Sequence, residues 1–284
     1  MEREAGRGSP SRHRDRPHRK DGRRRAAHHR RGPCSAGGGD QMKILAVDSS
    51  SKTAAAALLE DGTLVAESLA RTDTHSAVLL PMIEDLLKAA KTALGDVGLM
   101  AVTVGPGSFT GVRIGVSLVK GLAFADRIPC VGVSTLEAMA YNFAGVRGLV
   151  VPVLDARRET VFTAVFHTGE DGSVTRLTED AQLPVAELMT RLADYPDEPV
   201  FFAGDAADAV LARPDCPGNA AFTPLRLRTQ SAFGAGIRAY EIYTAPDAVP
   251  DDFTDAALVP SYLKKSQAER ERDERIAAAA KNNG

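Results

Sequence analysis

The 284-residue chain has no tryptophan, few aromatic residues of any kind and only three cysteines, Cys34, Cys130 and Cys216. Those cysteines are far apart and odd in number. They exclude a disulfide framework and the paired spacing of a zinc site, and they suit a reducing cytoplasm. Beyond residue 41 histidine is scarcer still, with His75 and His167 alone. No His-x-x-x-His pair sets two imidazoles on one helix face, so a His-rich metal centre is hard to build. No apolar run approaches the roughly 18 residues that a membrane helix needs.

Charge is unevenly placed. Residues 1–41 hold 12 of the 35 Lys and Arg and four of the six His, against only five acids. From Met42 onward there are 23 basic and 32 acidic residues, a net charge of −9. A body that acidic is a poor nucleic-acid binder by itself, because affinity comes largely from neutralising phosphates. Any role on RNA needs a basic partner. The first 41 residues contain Arg23-Arg24-Arg25 but no apolar core, so they do not read as a signal peptide. A basic RNA-binding arm is one reading. A disordered extension, with Met42 the working start, is the reading adopted here.

The body alternates in period. Lys43–Val47 is β-rich and runs into Asp48, followed by the polar turn Ser49-Ser50-Ser51-Lys52. Returning strands are expected over 54–59 and 64–69. Leu79, Ile83, Leu86, Leu87 and Ala90 then recur at helical spacing, with Pro81 in the first turn or at a kink. A strand over 99–104, a glycine loop over 105–110, a helix over 111–125 and a strand over 129–133 follow. Ser134 is placed to cap a third helix, with Glu137 at capping-box distance.

The second half repeats this grammar. A strand over 149–154 ends at Asp155 and a polar turn, returning strands are expected over 161–167 and 174–177, a helix over 184–192, and a strand over 200–203 before Gly204-Asp205-Ala206. The Asp-to-glycine spacing is 57 residues in the first half and 49 in the second. The expected architecture is therefore a duplicated α/β fold of two βββαβα lobes, 42–145 and 146–265, with a charged tail over 266–284. A further helix is expected over 231–243.

Gly105-Pro-Gly-Ser-Phe-Thr-Gly-Val-Arg113 is the most distinctive stretch. A glycine loop entering a helix can hold an anion on free amides. It is neither a Walker loop, lacking Gly-Lys-Ser/Thr, nor a dinucleotide fingerprint, since Thr110 replaces the third glycine. Anion binding and a plain tight turn stand level. Candidate nucleotide-contacting residues are Asp48, Ser50, Gly105, Gly107, Ser108 and Thr110. For Asp48 and Ser50 the alternative is a local Asx-turn. A hydrolytic triad through Ser108 and His75 lacks the Gly-x-Ser-x-Gly elbow.

With those residues in view, the chain resembles the TsaB family of bacterial tRNA threonylcarbamoyladenosine biosynthesis proteins, from Met42 to about Lys265. The resemblance rests on Gly105–Gly115, supported by Ile44–Ser51, His75-Ser76 with Leu80-Pro-Met-Ile83, Val131–Glu137, Leu154–Arg157 and Pro260–Leu263. It implies the actin/hexokinase/Hsp70-like duplicated fold. It also implies a cytoplasmic, non-catalytic subunit that joins the catalytic paralogue TsaD and the ATPase TsaE. Together these move threonylcarbamoyl from threonylcarbamoyl-AMP to adenosine 37 of tRNA, which the subunit meets through the complex. No cofactor, metal or catalytic residue is then expected of this chain itself, and self-pairing without TsaD is open. An active ATP-dependent phosphotransferase of the same fold is the rival.

In the family, pairing uses helices of the first lobe. Here the expected interface residues are His75, Val78, Leu79, Met82 and Leu86 on one helix, and Gly111, Arg113, Gly115 and Ser117 on the next. The first helix is apolar over more than one stripe, and the second offers small residues for close approach. The alternative is a pair of helices buried in their own core.

Overall fold

The computed structural model describes residues 41–263, which fall within one compact unit. The expected N-terminal extension, but for Gln41, and the charged tail lie outside the described residues. The first lobe is built from β1 (Lys43–Asp48), β2 (Thr53–Glu60), β3 (Thr63–Arg71), α1 (His75–Ala89), β4 (Leu99–Gly105), α2 (Phe109–Phe124), β5 (Cys130–Ser134) and α3 (Thr135–Tyr141). Its sheet runs β3-β2-β1-β4-β5. β1, β2 and β3 pair antiparallel, while β1, β4 and β5 pair parallel.

β2 carries four successive alanines, poor strand formers on propensity alone. They serve because both faces of the sheet are covered. Ala54 and Ala56 join the core under α1 and α2, with Leu79, Ile83, Val112 and Val116. Ala55 and Ala57 join the opposite core with Ile44, Leu99 and Val131. Small side chains at a doubly buried strand let helices settle close on either side. Pro81 lies in the second turn of α1, not its first, on the exposed side. The carbonyl of Ala77 thereby loses its intrahelical donor.

The second lobe contains β6 (Gly148–Asp155), β7 (Thr160–Thr163), β8 (Phe166–Thr168), β9 (Val174–Arg176), β10 (Ala181–Pro184), α4 (Val185–Leu192), β11 (Val200–Ala203), α5 (Ala207–Leu211), α6 (Leu225–Arg228) and α7 (Ala232–Thr244). The strand expected over 161–167 is two strands, β7 and β8, on one edge of β6 in a continuous register, from Leu154↔Phe162 to Leu149↔His167. The break falls beside Pro152, which has no N–H to give to a ladder. Val165 turns to Thr178 instead: its N–H donates to Thr178 Oγ1 at 2.8 Å, and its carbonyl accepts from Thr178 N–H. The third strand is divided at the same place, which adds β10, a strand that sequence reading omits.

β11 pairs parallel on the other edge of β6, as β4 does on β1. A fifth strand survives only as the bridge Val200↔Ala220. The lobes thus share one topology, and the duplicated actin/hexokinase/Hsp70-like fold is observed.

One element crosses between the halves. α7 follows the second lobe in sequence yet packs on the first sheet, where Ala232, Ala235 and Ala239 meet Ile44, Ala46 and Leu59. A polar cluster stitches the same region. Arg176 pairs with Asp180 at 2.5 Å and with Glu137 at 3.3 Å, and Arg238 pairs with Glu137 at 3.0 Å. Ser134 Oγ accepts from Glu137 N–H at the start of α3, but the Glu137 carboxylate faces these arginines and not the helix end.

Candidate functional site

The turn after β1 is an Asx-turn. Asp48 Oδ1 accepts from the Ser50 amide at 2.8 Å and its hydroxyl at 2.6 Å, and from Thr103 Oγ1 at 2.9 Å. Asp155 repeats this in the second lobe, accepting from Arg157 N–H at 2.7 Å. The two differ in burial: Asp48 is wholly enclosed and Asp155 is exposed. Burial pushes the Asp48 carboxyl above the usual carboxylate range, opposed by its bonds to Ser50 and Thr103 and by the charge of His75. Asp48 Oδ2 and His75 Nε2 are both buried without a hydrogen-bond partner.

The glycine loop lies against this turn. Ser108 N–H donates to the Ser50 carbonyl at 2.6 Å, and Ser108 Oγ caps α2 by accepting from Gly111 N–H at 3.2 Å. Each glycine of the motif is met closely by another part of the chain. A methyl group on Gly105, which has φ of +113°, would collide with the carbonyl of Ser261; on Gly107 with that of Ser50; on Gly111 with that of Ser49; and on Gly115 with the Ser49 hydroxyl. The motif is a clasp between β1, α2 and the C-terminal segment.

That segment runs back along the first lobe. Cys130 N–H donates to the Phe253 carbonyl at 2.8 Å, Lys120 Nζ to Leu258 O at 3.1 Å, and Ser261 N–H to Val104 O at 2.7 Å. Tyr262 of this segment lies over the start of α2. The Tyr262 and Phe109 rings lie 4.8 Å apart, the Arg113 guanidinium sits 3.8 Å from the Phe109 ring centre, and Arg113 Nε donates to Tyr262 Oη at 2.7 Å.

Between the lobes opens a cleft of about 680 Å³. One wall carries Lys52, the residues that start α1 and those that start α2; the other carries Asp155, Arg157 and Asp205. Of the nucleotide candidates, Ser50, Gly107, Ser108 and Thr110 line it, whereas Asp48 and Gly105 do not. Among the described residues, no three His, Cys, Asp or Glu side chains gather as a metal-binding group. No described helix is long and apolar enough to cross a membrane.

Comparison with known proteins places this geometry. The family model for TsaD, tRNA N6-adenosine threonylcarbamoyltransferase, matches residues 66–271. The Bacillus subtilis tRNA threonylcarbamoyladenosine biosynthesis protein TsaB is 33% identical over 220 residues, 75% of this chain and 90% of that protein. The chain belongs to the TsaB family. The Escherichia coli TsaB protein is 39% identical over 117 residues, 40% of this chain and 51% of that one. The solved YeaZ structure from Pseudomonas aeruginosa is 29% identical, with a TM-score of 0.64, and the match covers 78% of this chain and all of that one.

The TsaB resemblance draws attention to α1 and α2, and the structure sorts the residues expected there. All six of His75, Leu79, Met82, Leu86, Gly111 and Gly115 are buried within this chain: Leu79, Met82 and Leu86 in the core, Gly111 and Gly115 against Ser49, and His75 at the edge of the cleft. Val78 is half-buried, and Arg113 and Ser117 are exposed. The outer side of the helix pair also carries exposed Leu80 and Phe124 with half-buried Ile114, Leu118 and Leu122. Sequence reading counted Leu80 in the wide apolar face of α1 without giving it an interface role, and gave none to the others. Leu80 and Phe124 lie in apolar runs, and only the direction of each helix shows which apolar residues turn away from the sheet. Tyr262 stood in a quoted motif without a role, because its partners are about 150 residues earlier.

Proposed function

We propose that this TsaB-family chain is a non-catalytic subunit of a tRNA threonylcarbamoyladenosine transferase complex that holds a TsaD-type catalytic paralogue through the outer face of α1 and α2. Family membership supports a role in making this modification. The observation that carries the finer reading is the clasp. The glycine motif, the feature most suggestive of a ligand loop, packs against Ser49, Ser50 and Ser261 of the same chain and so fixes the start of α2. Among the residues the helix pair leaves exposed are Leu80, Phe124, Arg113 and Ser117, beside Glu84, Asp85 and Lys88 of α1. Apolar anchors beside an arginine are typical of the centre of a protein interface.

TsaE and the tRNA would then meet this chain within the assembly, and self-pairing through the same strip would occur only without TsaD. The net charge of −9 in the body accords with leaving tRNA contact to other subunits. Nothing in the comparisons supports the phosphotransferase alternative.

The test is co-purification and titration calorimetry of the full chain with TsaD from the same organism. Leu80→Asp and Arg113→Glu should each weaken binding by about tenfold or more, with the circular dichroism spectrum unchanged. Full-strength binding by both variants would refute this face as the contact.

A further inference from the structure

Arg113 is exposed, yet its head group is held in place. Phe109 stands four residues earlier on α2 and so shares its face, and the guanidinium lies 3.8 Å from the Phe109 ring centre. The Tyr262 ring flanks the pair at 5.5 Å, and Arg113 Nε donates to Tyr262 Oη at 2.7 Å. A long side chain that would otherwise sample many rotamers is confined to one.

One edge of the group stays open. A guanidinium has five N–H donors, and the one on Nε is engaged by Tyr262. Those on Nη1 and Nη2 remain, and among the described residues no carboxylate pairs with Arg113. With Nε occupied, an acid can approach only end-on, across the two Nη atoms, in the two-pronged geometry that suits a carboxylate. The outer face is not basic as a whole, since α1 adds Glu84 and Asp85 beside Lys88. Recognition here depends on the fixed fork and not on a broad positive field.

Resting on the assignment of this face to a TsaD-type partner, we propose that Arg113 binds a carboxylate of that partner end-on, and that Tyr262 is the residue that positions it to do so. The C-terminal segment is then a working part of the interface. Its hold on the first lobe supports that role: Ser261 N–H donates to Val104 O at 2.7 Å, and Leu258 is buried in the first-lobe core. Because the arginine is ordered before the partner arrives, less freedom is lost when the contact forms. A purely structural Tyr262 would act through its ring, whose centre is 4.8 Å from that of Phe109, by tethering the segment. Tyr262→Phe separates the two roles, since it keeps the ring and removes the hydroxyl.

The test is binding kinetics of the full chain on immobilised TsaD from the same organism. Tyr262→Phe should weaken binding by about fivefold, the scale of one hydrogen bond, through faster dissociation and with the melting temperature unchanged. Arg113→Ala should weaken it by about tenfold or more, and Arg113→Lys should recover little, because an ammonium cannot span both carboxylate oxygens. Tyr262→Phe added to Arg113→Ala should cause no further loss, as a residue acting only through Arg113 must. Dissociation unchanged by Tyr262→Phe, or losses that add in the double variant, overturns the proposal. If Leu80→Asp and Arg113→Glu weaken binding while Tyr262→Phe does not, the face stands as the contact and the positioning role falls. If none of the three weakens it, both fall.

Discussion

The hydroxyl of Ser49 donates to the carbonyl of Gly111 at 2.8 Å and lies where a Gly115 side chain would otherwise be. One serine, in the turn after the first strand, thereby fixes the position of a helix that starts 60 residues later. The bond joins the two most recognisable stretches of the sequence, and it explains why small residues recur along one side of α2.

Gly115→Ala should destabilise the fold by about 1–3 kcal/mol, because the added methyl meets a hydroxyl that is already bonded. Gly121, exposed on the same helix where an added Cβ would meet nothing within 4 Å, is the internal control. Gly121→Ala should stabilise by up to about 1 kcal/mol through helix propensity. Urea denaturation midpoints separate the two.

Partner binding and stability should also separate. Met82→Asp places a charge in the core beneath α1 and should unfold the chain or lower its melting temperature sharply. Leu80→Asp, two residues earlier on the exposed side, should leave the melting temperature nearly unchanged while weakening TsaD binding. A matched pair of thermal melts and titrations checks this.

Asp48 makes stability depend on pH in an uncommon direction for a carboxylate. Its folded pKa is raised by burial, so in the window above the ordinary carboxylate range the folded chain binds more protons than the unfolded chain. Stability from this group is then present below the unfolded pKa and declines as pH rises toward the folded pKa. Asp48→Asn keeps an oxygen for Ser50 and Thr103, and should flatten that decline. Denaturation midpoints at several pH values from 4 to 8 would show it.

Arg176→Ala should cost about 3 kcal/mol, since it leaves the half-buried carboxylates of Glu137 and Asp180 short of their partner. Arg176→Lys should recover only part of this, because one ammonium cannot reproduce the two-armed contact. Chemical denaturation of the three proteins tests both statements.

Cys130 should resist alkylation in the native state. Burial, with Asp255 nearby, pushes its thiol up to about 12, so almost no thiolate exists near neutral pH. Mass mapping after iodoacetamide should find Cys130 modified only after denaturant is added.

The duplicated topology was legible because strand–Asp–turn and strand–glycine patterns are local and repeat. Residues such as Ser134 and Ser231 announced their helices for the same reason, and both do cap them. Long-range events left no such trace. Nothing near Val161–His167 says that Pro152 on the neighbouring strand will interrupt it. Nothing in the Gly105–Gly115 motif says that Ser261 will fill the space above it. The interface candidates on α1 show the same limit. A helix apolar on several sides gives its period but not its rotation, and the sheet claimed Leu79, Met82 and Leu86.

Because α7 closes the face of the sheet that begins at β1, the earliest strands to leave a ribosome wait for nearly the last helix. Until Ala232–Thr244 has been synthesised, Ile44, Ala55 and Leu99 lack their cover. An amino-terminal fragment ending near residue 145 would therefore expose an oily flank and clump when produced by itself, whatever the quality of its own strands. Supplying a peptide containing that helix in trans should rescue its solubility.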